Sequence, residues 1–298
     1  DGEIPLVSQI GKMKSHDAVK VLRCFPEFLT LCFTLQEFKP VFHLVDRRHV
    51  SLVNRIITKL RNSLILPKSD HLANHSTGFI LPAQPNFRDL GGLPTKHGTQ
   101  IRPGLIFRSG DLSMLGEEDI LILERLGLRT IADFRSDREI AKRPDKEIPS
   151  VKNILHFPIE DAARELAMRL FDERNAEGLK QLLVDDYRRM IREHTEAFRD
   201  FFKCLQDPEN YPLVFHCAAG KDRTGMAAWF LLTALDVPEE IIREDYLATN
   251  IYSKSFADKI VAKTNEQGMH SEIIRPLLEV RDEYIDAALE VIEKEFGG

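Results

Sequence analysis

The residues that decide the fold are Val214–Gly225, which read VFHCAAGKDRTG. The run Tyr211–Phe215 (YPLVF) just before and into them is short and apolar, as in a buried strand, and Arg223–Leu235 has the length and composition of a helix. Cys217 and Arg223 bracket the turn between the two as Cys-x5-Arg, with His216 before it and Thr224 after it. A strand that passes into a helix through a short loop is the repeating unit of an α/β sandwich. That loop lies at the sheet edge where such folds bind ligands.

The composition of the loop suits an anion. Ala218, Ala219 and Gly220 are small enough for their backbone N–H groups to turn inward as a nest, and Gly220 permits the positive φ that such a loop uses. The helix that follows adds unpaired N–H groups and the positive end of its dipole. Arg223 offers a planar fork for two phosphate oxygens, and Lys221 adds positive charge beside it. In this field Cys217 is expected to ionise below the value of about 8.5 of a free thiol. A thiolate on the floor of a phosphate cradle is placed for in-line attack on phosphorus, and Thr224 can donate its hydroxyl to the sulfur as the sulfur leaves. His216 reads as a residue that orients the loop, and Gly225 as one that allows close helix–sheet packing.

A phosphate ester also needs a proton for its leaving oxygen, supplied by a carboxylic acid on another loop that faces the cradle. Asp161 ends the segment His156–Asp161 (HFPIED) after a predicted strand, at the same sheet edge, and is the first choice. Asp222, within the loop, is the second, either assisting the acid or positioning the hydrolytic water. Asp133 and Arg135 are expected to brace the loop as a buried ion pair, with Glu160 a solvated neighbour.

Outward from the loop, Gly104–Phe107, Arg129–Phe134 and Val151–Phe157 read as further strands and Glu117–Leu126 as an amphipathic helix closed by Gly127. Ser136 is placed to cap a short helix. Residues 162–205 read as helical with one break near Asn175–Gly178, and two or three more helices complete the chain. Strand and helix alternate, which predicts a mostly parallel central sheet flanked by helices over residues 77–298. Residues 1–76 form a separate, mainly helical extension. In it Arg47–Leu66 carries Val50, Val53, Ile57, Leu60 and Leu64 on one face. That face is expected to pack on the body; peripheral membrane contact through residues 47–66 is the alternative.

The 298 residues are 43% hydrophobic and 30% charged, the balance of a soluble globular chain. The net charge of −6 argues against nucleic acid as a partner. Residues 1–75 hold 11 of the 41 Lys and Arg and 7 of the 47 Asp and Glu, so the body is the acidic part and any phosphate affinity in it is local. Cys24, Cys32, Cys204 and Cys217 show neither disulfide nor metal-ligand spacing. No apolar run reaches the roughly 18 residues of a membrane span.

HCAAGKDRTG resembles the signature loop of the cysteine-based tyrosine and dual-specificity phosphatase superfamily. NFRDLGG (Asn86–Gly92), IRPGLIFRSGDLS (Ile101–Ser113), IADFRSDREI (Ile131–Ile140) and EDYLATN (Glu244–Asn250) resemble, in order and spacing, the atypical bacterial-type tyrosine phosphatase family. The resemblance covers residues 79–296. It implies the phosphatase fold, a phosphocysteine intermediate on Cys217, phosphate binding by Arg223, an acid at Asp161, and neither metal nor cofactor. Lys221 with Asp222 resembles the loop of phosphatases that accept phosphoinositides. The stretch from Asp161 to Tyr187 is shorter than the lid insertion known in the family, which leaves the N-terminal region as another cover for the site. The substrate implied is phosphotyrosine, with phosphoserine, phosphothreonine or phosphoinositides beside it. An inositol-phosphate or small-ester phosphatase is the alternative, and an inactive phosphate-reading module is the alternative of another class.

Overall fold

The computed structural model describes residues 47–67, 81, 84–160, 167, 169, 171, 173–266 and 271–296. Helix α1 (Arg47–Leu64) leads directly into a short strand β1 (Ile65–Pro67), followed by β2 (Arg88–Asp89), β3 (Thr99–Ile101) and β4 (Ile106–Ser109). Next come α2 (Glu117–Arg125), β5 (Thr130–Asp133), α3 (Asp137–Lys142), β6 (Asn153–His156), α4 (Ala176–Glu193) and α5 (Thr195–Cys204). Strand β7 (Leu213–His216), α6 (Arg223–Ala234), α7 (Glu239–Tyr252), α8 (Lys254–Glu266), α9 (Ser271–Leu278) and α10 (Asp282–Phe296) complete the order.

The main sheet runs β2-β4-β7-β5-β6, with β4, β7, β5 and β6 mutually parallel and β2 antiparallel at one edge. Strand β7 is buried throughout, and it lies in the middle because LVFH offers no polar side chain until its last residue. The register sets Ser109, His216, Asp133 and His156 side by side at the carboxyl ends of four parallel strands. That row is the floor on which the site is built. Helix α6 is apolar around its circumference and is packed on all sides, as a central helix must be.

The expected strands all form, with shifted ends. Gly104 lies outside its strand because it turns with φ +76° and its N–H goes to Asp89 Oδ2 at 2.6 Å, so pairing with β7 starts at Ile106. The helical stretch 162–205 breaks at Asn175, whose side chain caps α4 by accepting from Gly178 N, and a second time at His194, between α4 and α5.

On helix α1, Leu60 and Leu64 are fully buried in the main core, with Ile56 and Ile57 packed against it, so these four residues dock on the body as expected. Arg61 pairs with Asp236 at 2.5 Å and donates to Ala234 O at 3.3 Å, and β1 pairs antiparallel with β3. These anchors lie beyond the far end of α6, roughly 18 Å along its axis from the Cys217 loop at 1.5 Å per residue. Cys24, Cys32 and the run Val19–Val45 lie outside the described residues. Among the described residues no helix is long and apolar enough to cross a membrane.

Truncating a buried leucine loses its burial and leaves a cavity. Leu60→Ala should lower stability by about 2–5 kcal/mol, read as a fall in the urea midpoint with an unchanged slope. A midpoint at the parent value would mean that α1 is not docked in solution.

Candidate active site

The loop from Cys217 to Asp222 leaves the carboxyl end of β7 and enters α6 at Arg223. Its shape is set from behind. Gly220 has φ +69°, and a Cβ there would sit 2.3 Å from Ser109 O, so only glycine fits. The Gly220 carbonyl accepts from Arg108 Nη2 at 3.0 Å and Asn86 Nδ2 at 2.6 Å. The Ala218 carbonyl accepts from Asp111 N at 3.1 Å and that of Ala219 from Asn86 Nδ2 at 3.4 Å. With its carbonyls drawn back, the loop turns its amides the other way. Among the described residues, the N–H groups of Ala218, Ala219, Gly220 and Lys221 donate to no protein acceptor. This is the geometry of an anion nest.

The groups that hold the carbonyls are themselves held by Asp245 of α7. Arg108, fully buried, reaches Asp245 Oδ2 at 2.5 Å, and Arg88 Nε reaches Oδ1 at 2.7 Å. Arg88 also donates to the Asn86 side-chain oxygen, which fixes the amide that faces Gly220. Burial lowers the pKa of Arg108 to about 10, together with Arg88 and against the opposing pull of Asp245. Burial alone would raise the pKa of Asp245, yet its two arginines hold it below the usual carboxylate range. The segments NFRDLGG, IRPGLIFRSGDLS and EDYLATN thus meet at one buried carboxylate.

On the opposite side His216 is fully buried, with Nδ1 3.2 Å from the Cys217 carbonyl, to which it donates. Its Nε2 lies 3.1 Å from Asp145 Oδ2, off the hydrogen-bond line but within ion-pair range. Burial would lower the His216 pKa, but Asp145 and Asp133 raise it above the ordinary histidine value. Arg135 bridges the two carboxylates, at 2.7 Å from Asp133 Oδ2 and 2.7 Å from Asp145 Oδ2. Asp133, Asp145 and His216 bring ligand atoms within 4.8 Å of one another. Arg135 already fills the place a cation would take, so the group is an ion-pair knot under the loop.

Arg223 sits at the mouth. Its Nη1 and Nη2 each meet a Glu139 oxygen at 2.7 Å, and Nη1 also donates to Ile159 O at 3.0 Å. Burial would raise the Glu139 pKa. Arg223 and the Ser136 donors outweigh it and bring the pKa down to about 2. Glu139 was not singled out from the sequence, although Ser136-x-x-Glu139 spells the capping box that the structure shows. Asp145 and Tyr187 were missed as well; Asp145 carries no local signal, and Tyr187 is a tyrosine in an ordinary amphipathic helix.

Cys217 is 2% exposed. Thr224 is fully buried, and its hydroxyl has no hydrogen-bond partner among the described residues. Lys221 is also buried, its Nζ 2.7 Å from Asp222 Oδ1. Tyr187 donates to that same oxygen at 3.0 Å. Asp161 lies outside the described residues, and Glu160, beside it, is exposed. Gly225 makes room for a ring of α7 as well as for the sheet, since a Cβ there would sit 3.2 Å from the Tyr246 ring and 3.7 Å from Arg108 Nη2 of β4. Cys204 is a free thiol whose pKa burial pushes up to about 12, with Asp207 adding to the effect.

Comparison with known proteins places these residues in context. The family described as the tyrosine phosphatase family matches residues 80–298. A Cupriavidus necator protein named as a tyrosine-protein phosphatase is 33% identical over 215 residues, covering 71% of this chain and 77% of its own. The triple specificity protein phosphatase PtpB of Mycobacterium tuberculosis is 27% identical over 252 residues, covering 73% of this chain and 89% of its own. The crystal structure of P. aeruginosa TpbA shares 15% identity over 70% of this chain and 97% of that one; with a TM-score of 0.29 the likeness is too weak to bear on the fold. The family match takes in the signature loop and all the segments gathered around it, and the chain belongs to the tyrosine phosphatase family.

Proposed function

We propose that the enzyme cleaves phosphotyrosine through a phosphocysteine intermediate on Cys217. The observation that carries this reading is the set of loop carbonyls drawn back by Asn86, Arg108 and Asp111, which leaves the N–H groups of Ala218, Ala219, Gly220 and Lys221 without a protein acceptor among the described residues. Arg223, aimed by Glu139, completes the cradle. The thiolate attacks phosphorus in line, the bond to the tyrosyl oxygen breaks, and that oxygen takes a proton from a carboxylic acid. Water then attacks the same phosphorus, the P–S bond breaks, and the sulfur leaves as thiolate. The buried Thr224 hydroxyl, without a protein partner among the described residues, suits donation to that sulfur.

Asp161 remains the proposed acid. Asp222 fits the second step, because Tyr187 and Lys221 hold its Oδ1 while its Oδ2 makes no hydrogen bond among the described residues and can accept the proton of the attacking water. The reading extends to phosphoserine, phosphothreonine or phosphoinositide esters; the M. tuberculosis relative is named a triple specificity protein phosphatase, which supports more than one class of substrate. A preference for inositol phosphates has less support, since the charge of Lys221 is already paired with Asp222 and its side chain is 7% exposed.

Hydrolysis of a phosphotyrosine peptide, a phosphoserine peptide, a phosphoinositide and inositol hexakisphosphate ranks the substrate classes, and the phosphotyrosine peptide is expected to lead. Cys217→Ser should abolish turnover on every substrate while phosphate still binds; full activity would rule out the covalent route. Asp161→Asn should slow esters with poor leaving groups far more than activated aryl phosphates, and equal slowing would move the acid elsewhere. Glu139→Gln should cut kcat/KM about 100-fold by letting the guanidinium drift from its line. An unchanged kcat/KM would mean that Arg223 is aimed without it.

A further inference from the structure

Asp222 occupies the N-cap position of α6, and aspartate is among the best capping residues, yet its side chain makes no capping bond. The omission has a consequence for an anion site. The N-terminus of α6 supplies the positive end of a helix dipole to the bound phosphate in the reading above. A carboxylate folded over those amides would satisfy them and set a negative charge where the phosphate must lie. The backbone at Asp222 is helical, with φ −84° and ψ −74°, and its carboxylate turns to two other donors. Tyr187 donates to Asp222 Oδ1 at 3.0 Å, and Lys221 Nζ reaches the same oxygen at 2.7 Å.

Of the two donors, Tyr187 is the rigid one. It is fully buried on α4, its ring against Tyr246 and Tyr284, whereas Lys221 rides on the loop itself at the end of a flexible stem. The hydroxyl of Tyr187 has one proton, and that proton goes to Asp222. The 2.9 Å contact with Tyr246 must therefore be a donation from Tyr246 to Tyr187. Tyr246 in turn rests on α6 where Gly225 leaves room for its ring. The result is a fixed line of donors, Tyr246 to Tyr187 to Asp222, anchored on the helix whose end it keeps clear. Burial, with the Asp222 charge beside it, pushes the Tyr187 pKa well above its ordinary value, so the phenol keeps its proton.

We propose that Tyr187 is a positioning residue that holds the Asp222 carboxylate off the N-terminus of α6 and thereby keeps the oxyanion cradle open. The proposal rests on the reading of the Cys217 loop as a phosphate cradle. It gives a buried tyrosine outside the signature segments control over anion affinity.

The test measures tungstate affinity in the full-length Cys217→Ser protein, where no chemistry intervenes. Tyr187→Phe in that background removes one oxygen and should weaken tungstate binding about 2- to 30-fold, the range that a helix cap spans. Adding Asp222→Ala should restore affinity, because no carboxylate is left to close the cradle. A merely structural tyrosine would let Asp222→Ala raise affinity by the same factor whether Tyr187 is present or replaced, whereas the proposal requires the larger factor in the Tyr187→Phe background. Thermal unfolding of each variant checks that the fold is kept. Tyr246→Phe, which leaves Tyr187 in place and removes only the donor to its oxygen, should shift affinity in the same direction by a smaller factor. Unchanged affinity in Tyr187→Phe, or a loss that persists after Asp222→Ala, would overturn the proposal. Failure of the parent Cys217→Ser protein to bind tungstate would instead refute the cradle itself.

Discussion

The Gly220 carbonyl is pulled backward by the Arg108 guanidinium and the Asn86 amide, and the shape of the signature loop follows from that pull. A peptide unit has two polar ends, so fixing its C=O behind the loop fixes its N–H in front. The positive φ of Gly220 is the backbone cost of this turn, and the missing Cβ is what makes it possible against Ser109 O. Nothing in the loop can bring this about alone, because the donors come from the strand region around residues 86–88 and from β4. Asp245 on α7 ties both regions together.

Two buried charge groups flank the loop, and their balance explains why segments far apart in the chain come together. On one side Asp245 lies between Arg88 and Arg108; on the other Arg135 and His216 meet Asp133 and Asp145. Removing a single member of such a group leaves an uncompensated charge in the interior, a loss on the order of 3–5 kcal/mol. The groups therefore specify one arrangement of the loop floor. They act by holding the loop carbonyls and the histidine behind the loop.

Much of this could be read from the residues. The strand–loop–helix around Cys217 follows from apolar YPLVF and the small residues after it, and the parallel sheet follows from the alternation of strand and helix. The Asp133–Arg135 pair was also legible, since a carboxylate in a buried strand needs a near partner. Other features depend on contacts that sequence spacing does not encode. Glu139 announces itself as a cap for α3, but its bond to Arg223 spans 84 positions. Gly225 reads as room for the sheet, and Arg108 of β4 does lie beside it, but the nearest atoms belong to the Tyr246 ring, which arrives from the next helix. The start of β4 was misplaced by two residues because the hydrogen bond from Gly104 to Asp89 is a tertiary constraint. The hydrogen bond from Tyr187 of α4 to Asp222 spans 35 positions and has no signal in the local sequence.

The central claim is that the Cys217 sulfur carries the phosphoryl group between the two steps. Rapid acid quenching of the enzyme during turnover of a phosphotyrosine peptide, followed by mass analysis of the proteolytic peptide that contains Cys217, tests it directly. The account predicts a phosphate adduct on Cys217 that forms within the first turnover and disappears when substrate is exhausted. Steady turnover with an unmodified Cys217 peptide at every quench time, under conditions where phosphocysteine survives the work-up, would contradict it.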